Sequence, residues 1–199
     1  MWYYFKLGIF LFVYSLLLAV TGLGIMLIEI TWLAFTLSLV NIALFIGICV
    51  IYMKQQGVLS VKKMHANDLE REEFLRTGEY REIDKHREYK PWKGYAIGAI
   101  TIIPLVVCLL IHLITGLAVG FGVNDGAGTA SNIMYLTFFA PVYVLLGKSI
   151  TGVSCFILAY CAPVIIVTSG VSYWFGARKM LKQYAKIQQT QESIYGKKS

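Results

Sequence analysis

Three ionisable side chains stand in otherwise apolar parts of this sequence, and their chemistry depends on how they are placed. His112 lies 18 residues after Gly94, where an apolar tract begins, which puts it about 27 Å along a helix. Glu29 and Asp125 are expected at a similar depth, so the three could form a proton- or cation-binding site at one end of the helices. The alternative, which we favour, is that each meets water separately, because nothing in the sequence fixes their lateral positions.

A nucleophile is the second kind of chemistry to consider. Ser154 and His112 could act as a dyad that hydrolyses a peptide or an ester, provided that an oxyanion hole is present. No oxyanion contributor and no third group to orient the histidine is recognisable, so a serine that packs between helices is favoured and no catalytic residue is predicted. No cofactor or metal is predicted either, because no cysteine or histidine spacing is typical of a metal site. All four cysteines lie in apolar tracts: Cys49, Cys108, Cys155 and Cys161.

Several small or polar residues are predicted to hold helices together. Asn41 lies in the middle of an apolar tract, where an unpaired amide is costly, so it should bond to another helix of the chain or of a second copy. Two small-xxx-small patterns predict that the tract beginning near residue 94 is closely packed. They are formed by Gly94 with Gly98 and by Gly116 with Gly120.

The distribution of charge determines the class of protein to which these residues belong. Only 15% of the 199 residues are charged, and 57% are hydrophobic. Eighteen of the 29 charges lie in residues 54–93, whereas residues 7–53 and 94–147 hold one each and residues 149–177 hold none. Apolar tracts of this length exclude a water-soluble domain and predict an integral membrane protein. Nucleic-acid binding is therefore excluded as the default interpretation of the +7 net charge.

The predicted fold is all-α: a polytopic membrane protein with four transmembrane helices and a short re-entrant or interfacial outer helix. The chain divides into a transmembrane hairpin (1–53), a charged cytoplasmic helical segment (54–93), a second transmembrane region (94–177) and a basic amphipathic cytoplasmic tail (178–199). The four spans are Tyr3–Leu23, Thr31–Met53, Gly94–Val119 and Ser149–Phe175. A cleaved signal peptide at the N-terminus is weighed and disfavoured, because residues 19–21 make a poor cleavage site.

Two shorter segments need their own interpretation. Ile133–Leu146 covers only about 21 Å as a helix and contains Pro141, so it should re-enter or lie at the outer surface. In the charged segment, Asn67 and Glu70 resemble a capping box for a short helix over Asp68–Arg76. That helix should stop at Thr77-Gly78, and a second should follow over Glu79–Glu88.

Orientation follows from the basic residues. With both termini and the 54–93 segment in the cytoplasm, that side carries a net charge of +8 and the other side −1. The positive-inside rule favours this arrangement over a five-span alternative with an exported tail. We expect a plasma membrane of the bacterial type, with anionic lipid in contact with the basic tail.

Three functional hypotheses remain. The first is a homo-oligomeric permease or channel for an ion or small solute, with Pro104, Pro141 and Pro163 breaking helices around a pathway. The second is a non-catalytic accessory or assembly subunit of a larger membrane complex, which the scarcity of polar residues inside the spans favours. The Ser154–His112 hydrolase is a remote third.

Overall fold

The computed structural model of the chain describes residues 2–79, 83, 85–119, 142–145 and 152–195, and it describes no side chains at 108–109, 119, 152–162 or 194–195. This part of the chain is helical and contains no strand. Its four long helices are α1 (Trp2–Met26), α2 (Thr31–Thr77), α3 (Lys93–Val119) and α4 (Gly152–Tyr195), and a single 3₁₀ turn covers Lys85–Arg87. The predicted all-α class is confirmed.

Three of the described helices are long and apolar enough to cross a membrane, as an integral membrane protein requires. They are Trp2–Met26, the first part of Thr31–Thr77, and Lys93–Ala118. Many large apolar side chains on these helices face outward; Leu17 is 59% exposed and Leu117 is 80% exposed. Such side chains suit a hydrocarbon environment. Of the predicted re-entrant segment 133–147, the structure describes only residues 142–145, which are helical.

The first helix ends later than predicted. The first span was predicted to end at Leu23, but α1 continues through Gly24 to Met26, and the connection occupies residues 27–30. A glycine inside a helix costs about 1 kcal/mol relative to alanine, too little to end a helix whose other residues favour it. Glu29 lies in this connection, as predicted, and α2 begins at Thr31.

Helix α2 does not end where its apolar residues end. It runs unbroken for 47 residues, so the boundary placed between Met53 and Lys54 lies inside one helix. The separate helix predicted over Asp68–Arg76, with Asn67 as its cap, is wrong for the same reason. Lysine, glutamate and arginine are good helix formers, so a change from apolar to charged residues does not stop a helix.

The predicted stop at Thr77-Gly78 is confirmed. Gly78 adopts a left-handed conformation with φ of 72°, and its N–H donates to the Phe74 carbonyl. This conformation is strained for any residue with a Cβ atom, which is why glycine ends the helix here. The second helix expected over Glu79–Glu88 lies partly outside the described residues; its described part contains only the 3₁₀ turn at Lys85–Arg87.

The helices form a bundle in which α1 contacts α2 and α3, and α4 contacts the same two helices. Tyr3 bonds to Gln56, so α1 and α2 run antiparallel. The Thr101 hydroxyl bonds to the Gly8 carbonyl, and the Tyr4 ring lies 5.9 Å from the Trp92 ring, so α1 and α3 run parallel.

Helix α4 runs parallel to α2 and antiparallel to α3. Cys49 contacts Ser169, and sixteen residues further along α2 the ring of His65 lies 4.2 Å from the ring of Tyr184. One end of the bundle therefore gathers the starts of α1 and α3 and the regions where α2 and α4 become charged. We call it the basic end.

The core of the bundle lies close to the basic end. Its fully buried apolar side chains come from all four helices: Leu11, Cys49, Met53, Ile97 and Tyr173. Near this core, α2 and α4 approach until their backbones touch. A Cβ atom on Gly57 would meet the Tyr173 carbonyl oxygen, and one on Gly176 would meet that of Lys54. Close approach of this kind is how helices associate in lipid, where burial of apolar side chains gives little advantage.

Candidate functional site

The three ionisable residues predicted to mark an outer site have different surroundings. Glu29 is exposed in the connection between α1 and α2. His112 is 2% exposed, in the part of α3 distant from the basic end. Asp125 lies outside the described residues, and no described contact joins Glu29 to His112. The outer proton or cation site therefore remains a prediction.

Asn41 lies in the α1–α2 interface. It is 5% exposed, and its Nδ2 donates to the Leu18 carbonyl at 3.0 Å and to the Thr21 hydroxyl oxygen at 2.9 Å. Both acceptors belong to α1, so the amide links the two helices of the first hairpin within one chain. The hydrogen bonds satisfy a group that would be costly to leave unpaired in lipid.

Two of the four predicted packing glycines contact α4 directly. Gly94 faces Tyr173 and Gly170, and Gly98 faces Ser169. Gly116 is buried further along α3.

Two further predicted positions fall outside what the structure describes: Gly120 lies outside the described residues, and the side chain of Ser154 is not described. The Ser154–His112 dyad therefore stays a prediction.

A polar cluster at the basic end was missed by sequence reasoning, and Lys93 is its centre. This lysine is 2% exposed, and its Nζ donates to the His86 carbonyl at 2.7 Å and to the Glu88 carbonyl. It also lies 5.1 Å from the centroid of the Tyr4 ring, whose hydroxyl donates to the same His86 carbonyl. Lys93 therefore holds the loop before α3 against the start of α1.

The same loop is attached to α2 through Glu88. Its Oε1 accepts hydrogen bonds from Asn67 Nδ2 at 2.8 Å and from Arg71 Nη2 at 2.5 Å. Arg71 also pairs with Asp68 at 2.5 Å. Asn67 is fully buried although it lies in a charged stretch. Its partner Glu88 lies 21 residues further along the chain, so the residues next to Asn67 could not reveal this hydrogen bond.

Aromatic rings complete this end of the molecule. Tyr89 stacks on Tyr173 with ring centroids 5.7 Å apart, and burial raises the pKa of the Tyr89 hydroxyl above its ordinary value. Arg87 lies over the ring of Tyr3 at 5.3 Å. The described donors of the cluster are directed at carbonyls, carboxylates and rings of the same chain. Its chemistry is therefore suited to fixing the loop against three helices.

A groove between α2 and α4 lies just beyond their closest contact and has a volume of about 520 Å³. Three lysines line it: Lys54 and Lys62 from α2, and Lys179 from α4. The other lining residues are two glutamines and three apolar residues, namely Gln55, Gln183, Val58, Leu59 and Met180. The groove thus combines positive charge, amide groups and apolar surface, a combination that fits an amphipathic anion.

The residues that the structure describes contain no candidate metal site. No three histidine, cysteine, aspartate or glutamate side chains there lie close enough together to hold an ion. Cys49 is buried, with its Sγ 3.2 Å from the Ser169 Oγ. This contact joins α2 to α4 and has the character of helix packing.

Comparison with known proteins gives no further information on the site: no family model, no curated protein and no solved structure is significantly similar to this chain.

Proposed function

We propose that this chain is a non-catalytic accessory or assembly subunit of a larger membrane complex, docked through the helical projection at its basic end. The observation that carries the proposal is the length of α2 and α4 beyond the apolar bundle. Residues 54–77 extend α2 by about 36 Å, and residues 178–195 extend α4 by about 27 Å, in the same direction. A permease needs no such projection, whereas a subunit that contacts the aqueous parts of a partner does.

The surface of the projection supports a protein partner. Near the end of α2, Leu69, Phe74 and Leu75 are 54%, 41% and 82% exposed. At about 100° per residue these three side chains point in different directions around the helix, so the partner should enclose the end of α2 and not cover one face of it. Acidic residues lie between them, at Glu70, Glu72 and Glu73, so the partner surface should be apolar with basic residues around it.

The proposed topology has four spans with both termini in the cytoplasm. The direction of α4 supports the even number: α4 runs beside α2 in the same direction and reaches the basic end, where α1 begins. The concentration of Lys and Arg at that end favours the cytoplasmic side.

An oligomeric permease or channel is the second candidate, favoured by one observation. His112 is 2% exposed in the apolar part of α3, and an ionisable ring at such a position is a functional-site hypothesis by default. The helix breaks expected at prolines do not support it, because α3 and α4 continue through Pro104 and Pro163. Pro141 lies outside the described residues.

The two candidates are separated by purification of the full chain from its native membrane in mild detergent. We expect a larger membrane complex to co-purify stoichiometrically, and Phe74→Glu with Leu75→Glu to reduce its recovery about tenfold or more. The matched control is Lys85→Gln with Lys90→Gln, which changes the net charge by the same two units at exposed loop positions outside the projection and should retain the complex. If the chain purifies alone and conducts solute in liposomes, with flux lost in His112→Ala, the accessory proposal is wrong and the permease is supported.

A further inference from the structure

We infer that the lysine groove between α2 and α4 binds the phosphate headgroup of an anionic membrane phospholipid. The groove is defined by Lys54, Lys62 and Lys179 and lies beside the point where the backbones of the two helices touch. This inference concerns a lipid site and does not depend on the partner proposed above.

The charge of the groove specifies an anion. All three of its ionisable lining residues are lysines, and no aspartate or glutamate is among the eight residues that line it. In the described part of the chain, both ion pairs are made by Arg71, so these lysines take part in neither. Gln55 and Gln183 add amide donors, which suit the remaining oxygens of a phosphate group.

The depth of the groove matches the headgroup layer. Lys54 directly follows the apolar part of α2, and Lys179 lies five residues, about 8 Å, beyond the exposed Trp174. The headgroup layer adds about 5 to 8 Å on each side of the hydrocarbon, and tryptophan marks its inner limit. Two of the lysines therefore lie at phosphate level, and Lys62, about 12 Å beyond Lys54, closes the aqueous side.

Apolar residues continue from the groove toward the membrane. Ile51, 61% exposed, lies one turn before Lys54 and Gln55 on the same face of α2. Phe175, 54% exposed, lies one turn before Lys179 on α4. An acyl chain attached to a phosphate in the groove would run along these two side chains. A free phosphate ion would contact neither of them, nor the apolar lining residues Val58, Leu59 and Met180.

The test is native mass spectrometry of the full chain in detergent, titrated with phosphatidylglycerol or phosphatidylcholine. We expect one phosphatidylglycerol per chain, bound more tightly than phosphatidylcholine. The double variant Lys62→Gln, Lys179→Gln should bind phosphatidylglycerol roughly 25-fold more weakly, since each lysine near anionic lipid contributes about 1 kcal/mol.

The matched control is Lys182→Gln, Lys186→Gln, which removes the same charge from exposed positions on α4 outside the groove. It should change the affinity less than about threefold. Lys62→Arg, Lys179→Arg keeps both charges and should retain binding, and circular dichroism verifies that every variant keeps its helices.

Several results would overturn the inference. Equal losses in the groove and control variants would mean that the charge of the tail attracts lipid without a defined site. Equal binding of phosphatidylglycerol and phosphatidylcholine would show that the net negative charge of the headgroup does not determine binding. Displacement of the lipid by millimolar inorganic phosphate would assign the groove to a soluble ligand.

Discussion

Helix α2 contacts its two neighbours in different ways. Against α4 it places Gly57, and the two backbones touch with no side chain between them. Against α1 it uses larger groups: the rings of Phe10 and Tyr52 stack at 4.8 Å, and Asn41 bonds to Leu18 and Thr21. The α2–α4 interface requires a residue without a side chain at position 57, whereas the α1–α2 interface is formed by contacts between large side chains. Dispersion contacts hold the first interface together at the membrane surface, and ring stacking with interhelical hydrogen bonds holds the second together further into the bundle.

The strongest test of this difference is Gly57→Ala. The new Cβ would meet the Tyr173 carbonyl oxygen, and two backbones cannot separate locally without moving whole helices. We expect a loss of about 2 to 3 kcal/mol, typical of an overpacked interface, measured as a lower thermal midpoint by circular dichroism in detergent.

Gly47→Ala is the matched control on the same helix. Nothing lies within 4 Å of a Cβ atom at this position, so the alanine should be neutral or stabilising by up to about 1 kcal/mol. Similar effects at the two glycines would show that the α2–α4 contact is not the close approach described above.

A second test uses Lys93→Met, which keeps the approximate size of a buried side chain and removes its charge. The carbonyls of His86 and Glu88 each lose a donor, at a cost of about 1 to 3 kcal/mol. The loop before α3 should open, so limited digestion should become faster, with trypsin after Arg87 and with chymotrypsin after Tyr89.

Lys85→Met, at an exposed position of the same loop, should leave the rate of these cuts unchanged. If the two variants are cleaved equally, the buried ammonium does not hold the loop.

The smallest expected effect belongs to Asn41→Leu. Polar contacts between membrane helices contribute about 0.6 kcal/mol on average, and the Thr21 hydroxyl keeps a bond to its own helix at Leu18. The thermal midpoint should fall slightly. Thr36→Val removes a hydroxyl that bonds within α2 alone and should have no effect. A loss at Asn41 as large as that at Gly57 would contradict the distinction between the two interfaces.

What the sequence could predict was mostly local. The apolar tracts predicted the three helices that can cross a membrane, and Thr77-Gly78 predicted the end of α2, because hydropathy and a left-handed glycine act over a few residues. The continuity of α2 past Met53 was not predicted, because the apolar tract ends there although the helix continues through charged residues that also favour a helix.

The polar contacts of the basic end needed information that no local pattern carries. Lys93 and Asn67 are buried because the loop folds back across α1 and α2, over separations of 7 to 21 residues and more. Gly57 has no small residue four positions away on either side, so no small-xxx-small pattern includes it. Gly176 does form such a pattern with Ser172, but the pattern does not identify the helix against which it packs. The groove could not be predicted from the sequence either, because its lysines lie on α2 and α4 and come together only when the two helices pack side by side.

The unbroken course of α2 has a mechanical consequence. The helix is held to α4 at Gly57, with about 39 Å of helix on the side of Thr31 and about 30 Å on the side of Thr77. Contacts of Cys49 with Ser169 and of His65 with Tyr184 hold α2 to α4 on both sides of Gly57, so the two helices would tilt together about a pivot at the membrane surface. A tilt of about 10° around that pivot would move Phe74 and Leu75 by about 5 Å, so a small motion inside the bilayer would reach the aqueous tip without any change in the helix itself.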